Sequence, residues 1–192
     1  MSPSALTTVY TIDPVVSRFT VRVFATGLLS SFGHSPTIAI RDFSGEARFS
    51  PDAPDEAALV LRIRAKSLAV TDDISDKDRR ELERTMNEQV LESARYPEIV
   101  FESSKASLNR AGDHQYFVNM VGSLTLHGIT NNQAVSAQIA LTGDLLRGHG
   151  EFSVLQTAYG IKPVSVAGGS LKVKDEVKCA FDIVARKKVD NK

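Results

Sequence analysis

Most of this chain alternates apolar and polar side chains with a period of two, and that pattern limits the folds open to it. The alternation is clearest at residues 19–23 and 59–64. It gives each strand one apolar face and one polar face. A largely antiparallel sheet of such strands has to bury its apolar face, by closing into a barrel or by stacking as a sandwich. Because a barrel of about eight strands can enclose a ligand, the contents of the interior become the functional question.

One segment, from Ser75 to about Leu91, breaks the alternation and predicts a helix. Ser75 is a suitable N-cap, and Asp78 completes a capping-box pattern three residues later. Apolar residues recur in this segment at a spacing of four: Leu82, Met86 and Val90. So narrow a stripe favours either a lid over one end of the sheet or a surface helix packed on its wall.

The remaining sequence predicts strands separated by turns. The predicted strands are residues 9–12, 18–24, 37–40, 45–49, 58–63, 98–104, 116–126, 133–141, 148–154 and 176–185. Turn-forming residues cluster at 50–55, 109–113 and 128–132. Since no repeat or change of composition divides the chain, residues 1–192 are predicted to form a single domain with its core at about residues 9–186.

Composition and charge exclude several classes of function. The 23 basic and 23 acidic residues give a net charge of zero, which argues against nucleic acid as a partner. No transmembrane segment is predicted, because no window approaches the roughly 20 apolar residues that one requires. The single cysteine, Cys179, excludes an internal disulfide and lies on the apolar phase of its strand, where a buried, unreactive thiol is expected.

The N-terminal residues predict a cytoplasmic protein. They lack both the basic region and the 7–15-residue apolar region of a secretion signal. If a signal had been removed from the natural protein, the expected location would be the periplasm.

The sequence contains none of the common catalytic signatures, and we predict no catalytic residue, no cofactor and no metal. The Gly-x-Ser-x-Gly, phosphate-loop and His-Glu-x-x-His patterns are missing. Four acidic residues cluster at the start of the predicted helix, where they favour the helix dipole rather than an acid–base pair or a cation site: Asp72, Asp73, Asp76 and Asp78.

The four histidines, His34, His114, His127 and His149, have no local spacing typical of a metal site. His34 lies in a loop of small residues, and His127 ends a strand at a turn. If these two met in space, they could contact a ligand head group or a metal. Structural hydrogen bonding is the alternative that the sequence favours.

Three segments together carry a resemblance to a known family. Residues 10–13 and 17–19 read Tyr-Thr-Ile-Asp and Ser-Arg-Phe, and residues 96–103 read Tyr-Pro-Glu-Ile-Val-Phe-Glu-Ser. Residues 122–130 read Gly-Ser-Leu-Thr-Leu-His-Gly-Ile-Thr. In this order and spacing the segments resemble the YceI-like proteins over almost the whole chain.

The resemblance implies an all-β fold, an antiparallel lipocalin-like β-barrel with one helical insertion at about Ser75 to Leu91. It also implies an interior that binds a long-chain isoprenoid or other amphiphilic lipid, typically a polyisoprenoid or an isoprenoid quinone, and a homodimer as a common assembly. The chain departs from the family at two positions that often hold histidine. It has Val16 before Ser17, and residues 24–27 read Phe-Ala-Thr-Gly, while a histidine follows later at His34.

The phase of each strand predicts which side chains face inward, and nearly all are aliphatic or phenylalanine. With His34 and the helical Met86, the predicted ligand-binding residues are Phe19, Val21, Val23, His34, Ile38, Ile40, Leu61, Ile63, Met86, Phe101, Leu124, Leu126, Val154 and Phe181. Burying about ten methylenes stabilises a complex by roughly 8 kcal/mol, and association costs about 4–15 kcal/mol. A long chain is therefore needed for tight binding.

Three functions stay open. The favoured one is non-enzymatic binding of such a molecule for storage, transport or stress protection. The second is an enzyme acting on such a lipid, with His34 or His127 as the acid or base. The third is an interaction module whose inward side chains simply fill a dry core.

Overall fold

Long antiparallel strands dominate the fold, as the alternation predicts. The computed structural model describes residues 7–26, 35–52, 56–166 and 171–188. The strands are β1 (Thr8–Ile12), β2 (Arg18–Arg22), β3 (Ala25–Thr26), β4 (Thr37–Ile40), β5 (Phe43–Phe49), β6 (Ala58–Arg64), β7 (Leu68–Val70), β8 (Glu98–Gly112), β9 (Gln115–Leu126), β10 (Ile129–Thr142), β11 (Leu145–Leu155), β12 (Ser165–Val166), β13 (Leu171–Val173) and β14 (Glu176–Lys187). One α-helix, α1 (Asp76–Thr85), continues directly into a π-helical turn, Met86–Val90.

Eight strand positions close the barrel, and pairs of short strands occupy three of them. β1 and β2 both pair with the same edge of β14, one after the other along its length, with Ile12 opposite Ala185 and Arg18 opposite Asp182. β5 then pairs with β1 and β4 with β2, while β6 pairs with β5 and β7 with β4. The other strands follow in chain order from β8 to β11, and β14 closes the ring. The predicted antiparallel β-barrel with one helical insertion is confirmed.

The two ends of the barrel differ in what covers them. The hairpin end carries the tight turns at residues 113–114 and 143–144 and the start of the β5–β6 connection. The helix end carries α1, the His127–Gly128 turn and the 3₁₀ helix Gln156–Tyr159. It also carries a small sheet in which β13 pairs with β3 and β12.

The start of α1 has the predicted cap. The Ser75 hydroxyl accepts a hydrogen bond from the Asp78 backbone N–H at 3.1 Å and donates one to the Asp78 carboxylate at 2.7 Å. The predicted stripe is wrong in one respect. Met86 is buried, but the Leu82 side chain is 44% exposed, because α1 has no buried residue and meets the barrel interior only through the π turn.

Two predicted turns are wrong because the strands run further than their composition indicates. β8 continues to Gly112, so the hairpin turn is confined to residues 113–114, and β10 begins at Ile129. The β8–β9 and β9–β10 turns are short, and His114, His127 and Gly128 adopt the positive φ angles in them. Register shifts at Ser103 and Arg110 absorb the irregularity within β8.

Candidate binding cavity

A cavity of about 180 Å³ lies inside the barrel toward the helix end. Its described wall is almost wholly aliphatic and aromatic, and it contains no Lys, Arg, His, Asp or Glu. Apolar cavities of about 150 Å³ stay dry and bind small apolar molecules, whereas pockets for drug-sized ligands are roughly 300–1,000 Å³. A long ligand therefore has to displace side chains of the wall.

The structure brings together every predicted binding residue that it describes. The cavity wall contains Phe19, Val21, Val23, Ile38, Ile40, Leu61, Ile63, Met86, Phe101, Leu124, Leu126, Val154 and Phe181. His34 lies outside the described residues. The role of these side chains in binding a ligand stays a prediction.

Several wall residues were missed as binding residues, for different reasons. The missed residues include Ile12, Leu68, Val90, Leu91, Val135, Phe152, Gln156, Ile161 and Cys179. Phe152 could have been predicted from the sequence, because it is two residues from Val154 on the same strand and therefore faces the same side. By contrast, Leu68, Gln156 and Ile161 lie in short elements or connections, where period-two phasing has no meaning.

Two strand glycines make room for the aromatic rings of the wall. A Cβ on Gly122 would lie 2.8 Å from the ring of Phe101, and one on Gly150 would lie 2.7 Å from that of Phe181. Each would also come within 2.5 Å of a backbone oxygen of a neighbouring strand. With these glycines, the Phe181 ring packs 6.3 Å from Phe19, measured between ring centres.

The π turn at the end of α1 covers the cavity, and Met86, Val90 and Leu91 form part of its wall. The Leu91 N–H donates to the Met86 carbonyl at 2.8 Å, a five-residue spacing that places both buried side chains on the same side of the turn. We call residues 76–91 the lid. The predicted lid and the predicted wall helix are thus both present in one element, with α1 outside and the π turn over the cavity.

The outer part of the lid is held by the free edge of β7. The Val70 N–H donates to the Glu83 carboxylate at 3.0 Å, and the Val70 carbonyl accepts from the Arg79 guanidinium at 2.6 Å. Arg79 also donates to the carbonyl of Asp72 at 3.0 Å. Side chains of α1 therefore satisfy backbone groups of the strand that ends the sheet order.

A polar contact holds the other side of the lid, just after Leu91. The His127 Nε2 lies 2.7 Å from a carboxylate oxygen of Glu92, and its Nδ1 lies 3.2 Å from the carbonyl oxygen of Tyr159. The Tyr96 ring packs 4.5 Å from the imidazole, between ring centres. We call these four residues the latch. The carbonyl can only accept, so Nδ1 donates to it.

The latch also explains why His127 is outside the cavity wall, although the sequence made it a candidate acid or base. Its side chain is 13% exposed, and both ring nitrogens have partners in the latch. Glu92 and His127 have positive φ angles of 43° and 52°. Such backbone conformations persist where surrounding contacts hold them, which identifies the latch as a built structural feature.

Cys179 and Gln156 are the polar side chains that lie on the inward side of the described wall. Burial raises the pKa of the Cys179 thiol to about 12. The thiol is therefore protonated near neutral pH, as expected of an unreactive buried cysteine. Gln156 is 7% exposed and begins the 3₁₀ helix at the helix end.

The described residues offer no second site of the kinds considered next. They contain no cluster of three or more His, Cys, Asp or Glu side chains able to hold a metal ion. Within the same residues, every helix is too short or too polar to cross a membrane.

Comparison with known proteins places these features in context. A profile of the YceI-like domain family matches residues 10–185 of the chain. A comparison with curated protein sequences gives no match.

Solved structures share the fold at low sequence identity. BcnA of Burkholderia cenocepacia superposes with a TM-score of 0.68 at 21% identity, covering 90% of this chain and 98% of that one. A polyisoprenoid binding domain from Saccharophagus degradans, implicated in plant cell wall breakdown, gives 0.66 at 15% identity, covering 93% and 98%. The YCEI protein of Campylobacter jejuni gives 0.59 at 15%, covering 79% and 85%.

Proposed function

The chain belongs to the YceI-like domain family, and on that premise we propose that it binds a polyisoprenoid or an isoprenoid quinone inside the barrel. It does so without chemical change to the ligand, for storage, transport or stress protection. The observation that carries the proposal is the cavity inside the barrel, whose described wall is uncharged and apolar. The polyisoprenoid binding domain with the same fold supports the choice of an isoprenoid.

The layout of the interior favours a long ligand. A second void of about 40 Å³ lies nearer the hairpin end, and Leu59, Phe181 and Ile183 border both voids. A chain that displaced these side chains would run along the barrel axis. Each buried methylene adds about 0.8 kcal/mol, so length offsets the roughly 4–15 kcal/mol that association costs.

Binding without catalysis is the better supported alternative. The YceI-like family is a family of binding domains, and the described wall offers no acid or base close to a bound lipid. His127 is engaged in the latch, and Cys179 is protonated near neutral pH. The internal volume of about 180 Å³ also argues against a module that works through its surface over a filled core.

Native mass spectrometry of the full chain, purified from its own host without detergent, tests the proposal. We expect an adduct of several hundred daltons that passes into organic solvent and is identified there as an isoprenoid. A homodimer belongs to the same proposal and would appear in the same spectrum. A bare polypeptide mass that persists after soaking with quinones and prenyl lipids would overturn the proposed function.

A further inference from the structure

Gln156 is the one amide side chain in the described part of the cavity wall. It lies where β11 ends, at the helix end of the barrel, and only 7% of it is exposed. The rest of that wall is apolar apart from Thr20 and the protonated thiol of Cys179. A buried amide in such surroundings is a natural place for a polar part of a ligand.

The amide is held in one orientation by the connection between β13 and β14. Its Nε2 donates to the Lys174 carbonyl at 2.9 Å, and the Gln156 backbone N–H donates to the Asp175 carbonyl at 3.0 Å. A carbonyl oxygen only accepts, so the group that faces Lys174 is the amide nitrogen. The Asp175 carboxylate in turn accepts from the backbone N–H and the hydroxyl of Thr157, at 2.8 and 2.6 Å.

This arrangement leaves a defined hydrogen-bonding capacity for a ligand. An amide has two N–H donors and one oxygen acceptor, and the bond to Lys174 uses one donor. Within the described residues the side chain makes no other hydrogen bond. The second N–H can donate to a carbonyl oxygen, and Oε1 can accept from a hydroxyl.

The same surroundings disfavour a charged head group. The described wall holds no basic side chain to pair with a phosphate or carboxylate, and burying an unpaired charge is strongly unfavourable. We infer that Gln156 selects isoprenoids with a neutral head group, a hydroxyl or a ketone-type carbonyl, and positions that head at the helix end. The inference rests on the proposed function and specifies its ligand class.

Three probes with the same carbon chain test this selectivity: farnesene, farnesol and farnesyl diphosphate. Each is titrated against the full-length protein preloaded with the neutral fluorescent probe N-phenyl-1-naphthylamine. One added hydrogen bond predicts that farnesol binds about two- to tenfold more tightly than farnesene. The diphosphate is expected to bind at least about tenfold more weakly than farnesol.

Gln156→Met retains the length of the side chain and removes the amide. It should bring the affinity for farnesol to that for farnesene, so that the ratio of the two dissociation constants falls to about one. Gln138→Met makes the same chemical change at an exposed position of β10, outside the cavity wall, and should keep the preference. In the unmodified protein, the side-chain amide NMR signals of Gln156 should shift with farnesol and stay in place with farnesene.

The outcomes separate this inference from the proposed function. Equal binding of farnesol and farnesene by the unmodified protein, or tighter binding of the diphosphate, would overturn the role of Gln156 and leave the carrier function intact. A preference that survives in a folded Gln156→Met variant would do the same. If none of the three isoprenoids displaces N-phenyl-1-naphthylamine and the native mass spectra show only the bare polypeptide, the proposed function fails together with the inference.

Discussion

The two ends of the barrel are closed in different ways. At the hairpin end, Val118, Leu146 and Ala185 are at most 1% exposed, and the Phe49 and Tyr116 rings meet edge to face at 5.3 Å between centres. At the helix end, the core opens into the larger cavity, and the lid closes it from outside. The packed side chains of the hairpin end leave only the smaller void of about 40 Å³. The helix end is closed by a separate element held by a few polar contacts.

This difference separates stability from function within one sheet. Close packing provides the contacts that a void loses, so the hairpin end is expected to contribute more of the free energy of unfolding. The lid has no buried residue in α1 and depends on the π turn, the β7 edge and the latch. Because so few contacts hold it, opening the lid should require less free energy than unfolding the barrel.

The largest expected effect comes from removing packing at the hairpin end. Leu146→Ala should lower the free energy of unfolding by about 2–5 kcal/mol, since the side chain is 1% exposed. Leu155→Ala, at a 52% exposed position of the same strand, should change it by less than about 0.5 kcal/mol. Chemical denaturation of both variants measures the difference. Equal losses would mean that the hairpin end is not the stabilising region.

The next effect concerns the cavity wall and is read in ligand binding. Phe101→Asp places a carboxylate in the apolar wall and should weaken retention of an isoprenoid about tenfold or more. Phe117→Asp makes the same change at a 47% exposed position on the adjacent strand β9 and should leave retention unaltered. Circular dichroism checks that both variants fold. Undiminished retention by folded Phe101→Asp would remove this residue from the binding wall.

A smaller effect should come from the latch. Glu92→Gln weakens the contact with His127 and should raise the ligand dissociation rate about two- to tenfold, the value of one hydrogen bond. Glu88→Gln, which alters an exposed ion pair with Arg84 within the lid, is the matched control. Stopped-flow transfer of a bound fluorescent lipid to vesicles measures both rates. If the two variants release ligand at the rate of the unmodified protein, the latch does not control the lid.

The last effect is absent near neutral pH and appears only in alkali. Burial raises the pKa of Cys179 from 9.0 to about 12, so the folded chain retains a proton that the unfolded chain loses in this range. The free energy of unfolding should therefore fall as pH rises from about 9 to about 12. Burial also raises the pKa of Tyr10 and of Tyr159, which adds to the same slope.

Cys179→Ala isolates the thiol contribution in urea denaturation at a series of pH values. The variant should lose part of the alkaline decline and keep the part that belongs to the two tyrosines. An identical pH dependence in both proteins would show that the thiol is ionised with equal ease in the folded and unfolded chains.

The sequence predicted the features that repeat along a strand or follow local capping rules. The period-two alternation placed residues such as Leu61 and Leu124 toward the interior. The capping pattern of Ser75 and Asp78 located the start of α1. The longest strands were recognised because they offer many alternations. The ends of β8 and β10 were misjudged because residues such as Asn109 and Asn131 favour turns in isolation, whereas here sheet pairing outweighs that preference.

The features that the sequence did not reveal depend on contacts between distant residues. Glu92 and His127 are in contact although they are 35 positions apart in the chain, and no local sequence pattern predicts that contact. The π turn likewise cannot be predicted from local sequence, because it places Leu91 against the barrel. The strands β3, β7, β12 and β13 have two or three residues each, too few for periodicity to be recognised.

The bonds from Arg79 and Glu83 to Val70 have a consequence for how this protein survives in a concentrated solution. An uncovered strand edge is a template on which another chain can add a strand and begin to aggregate. If α1 swung away as a whole, β7 would present its backbone N–H and C=O groups to neighbouring molecules. If the π turn alone moved while α1 stayed on β7, the cavity would open with this strand edge still covered.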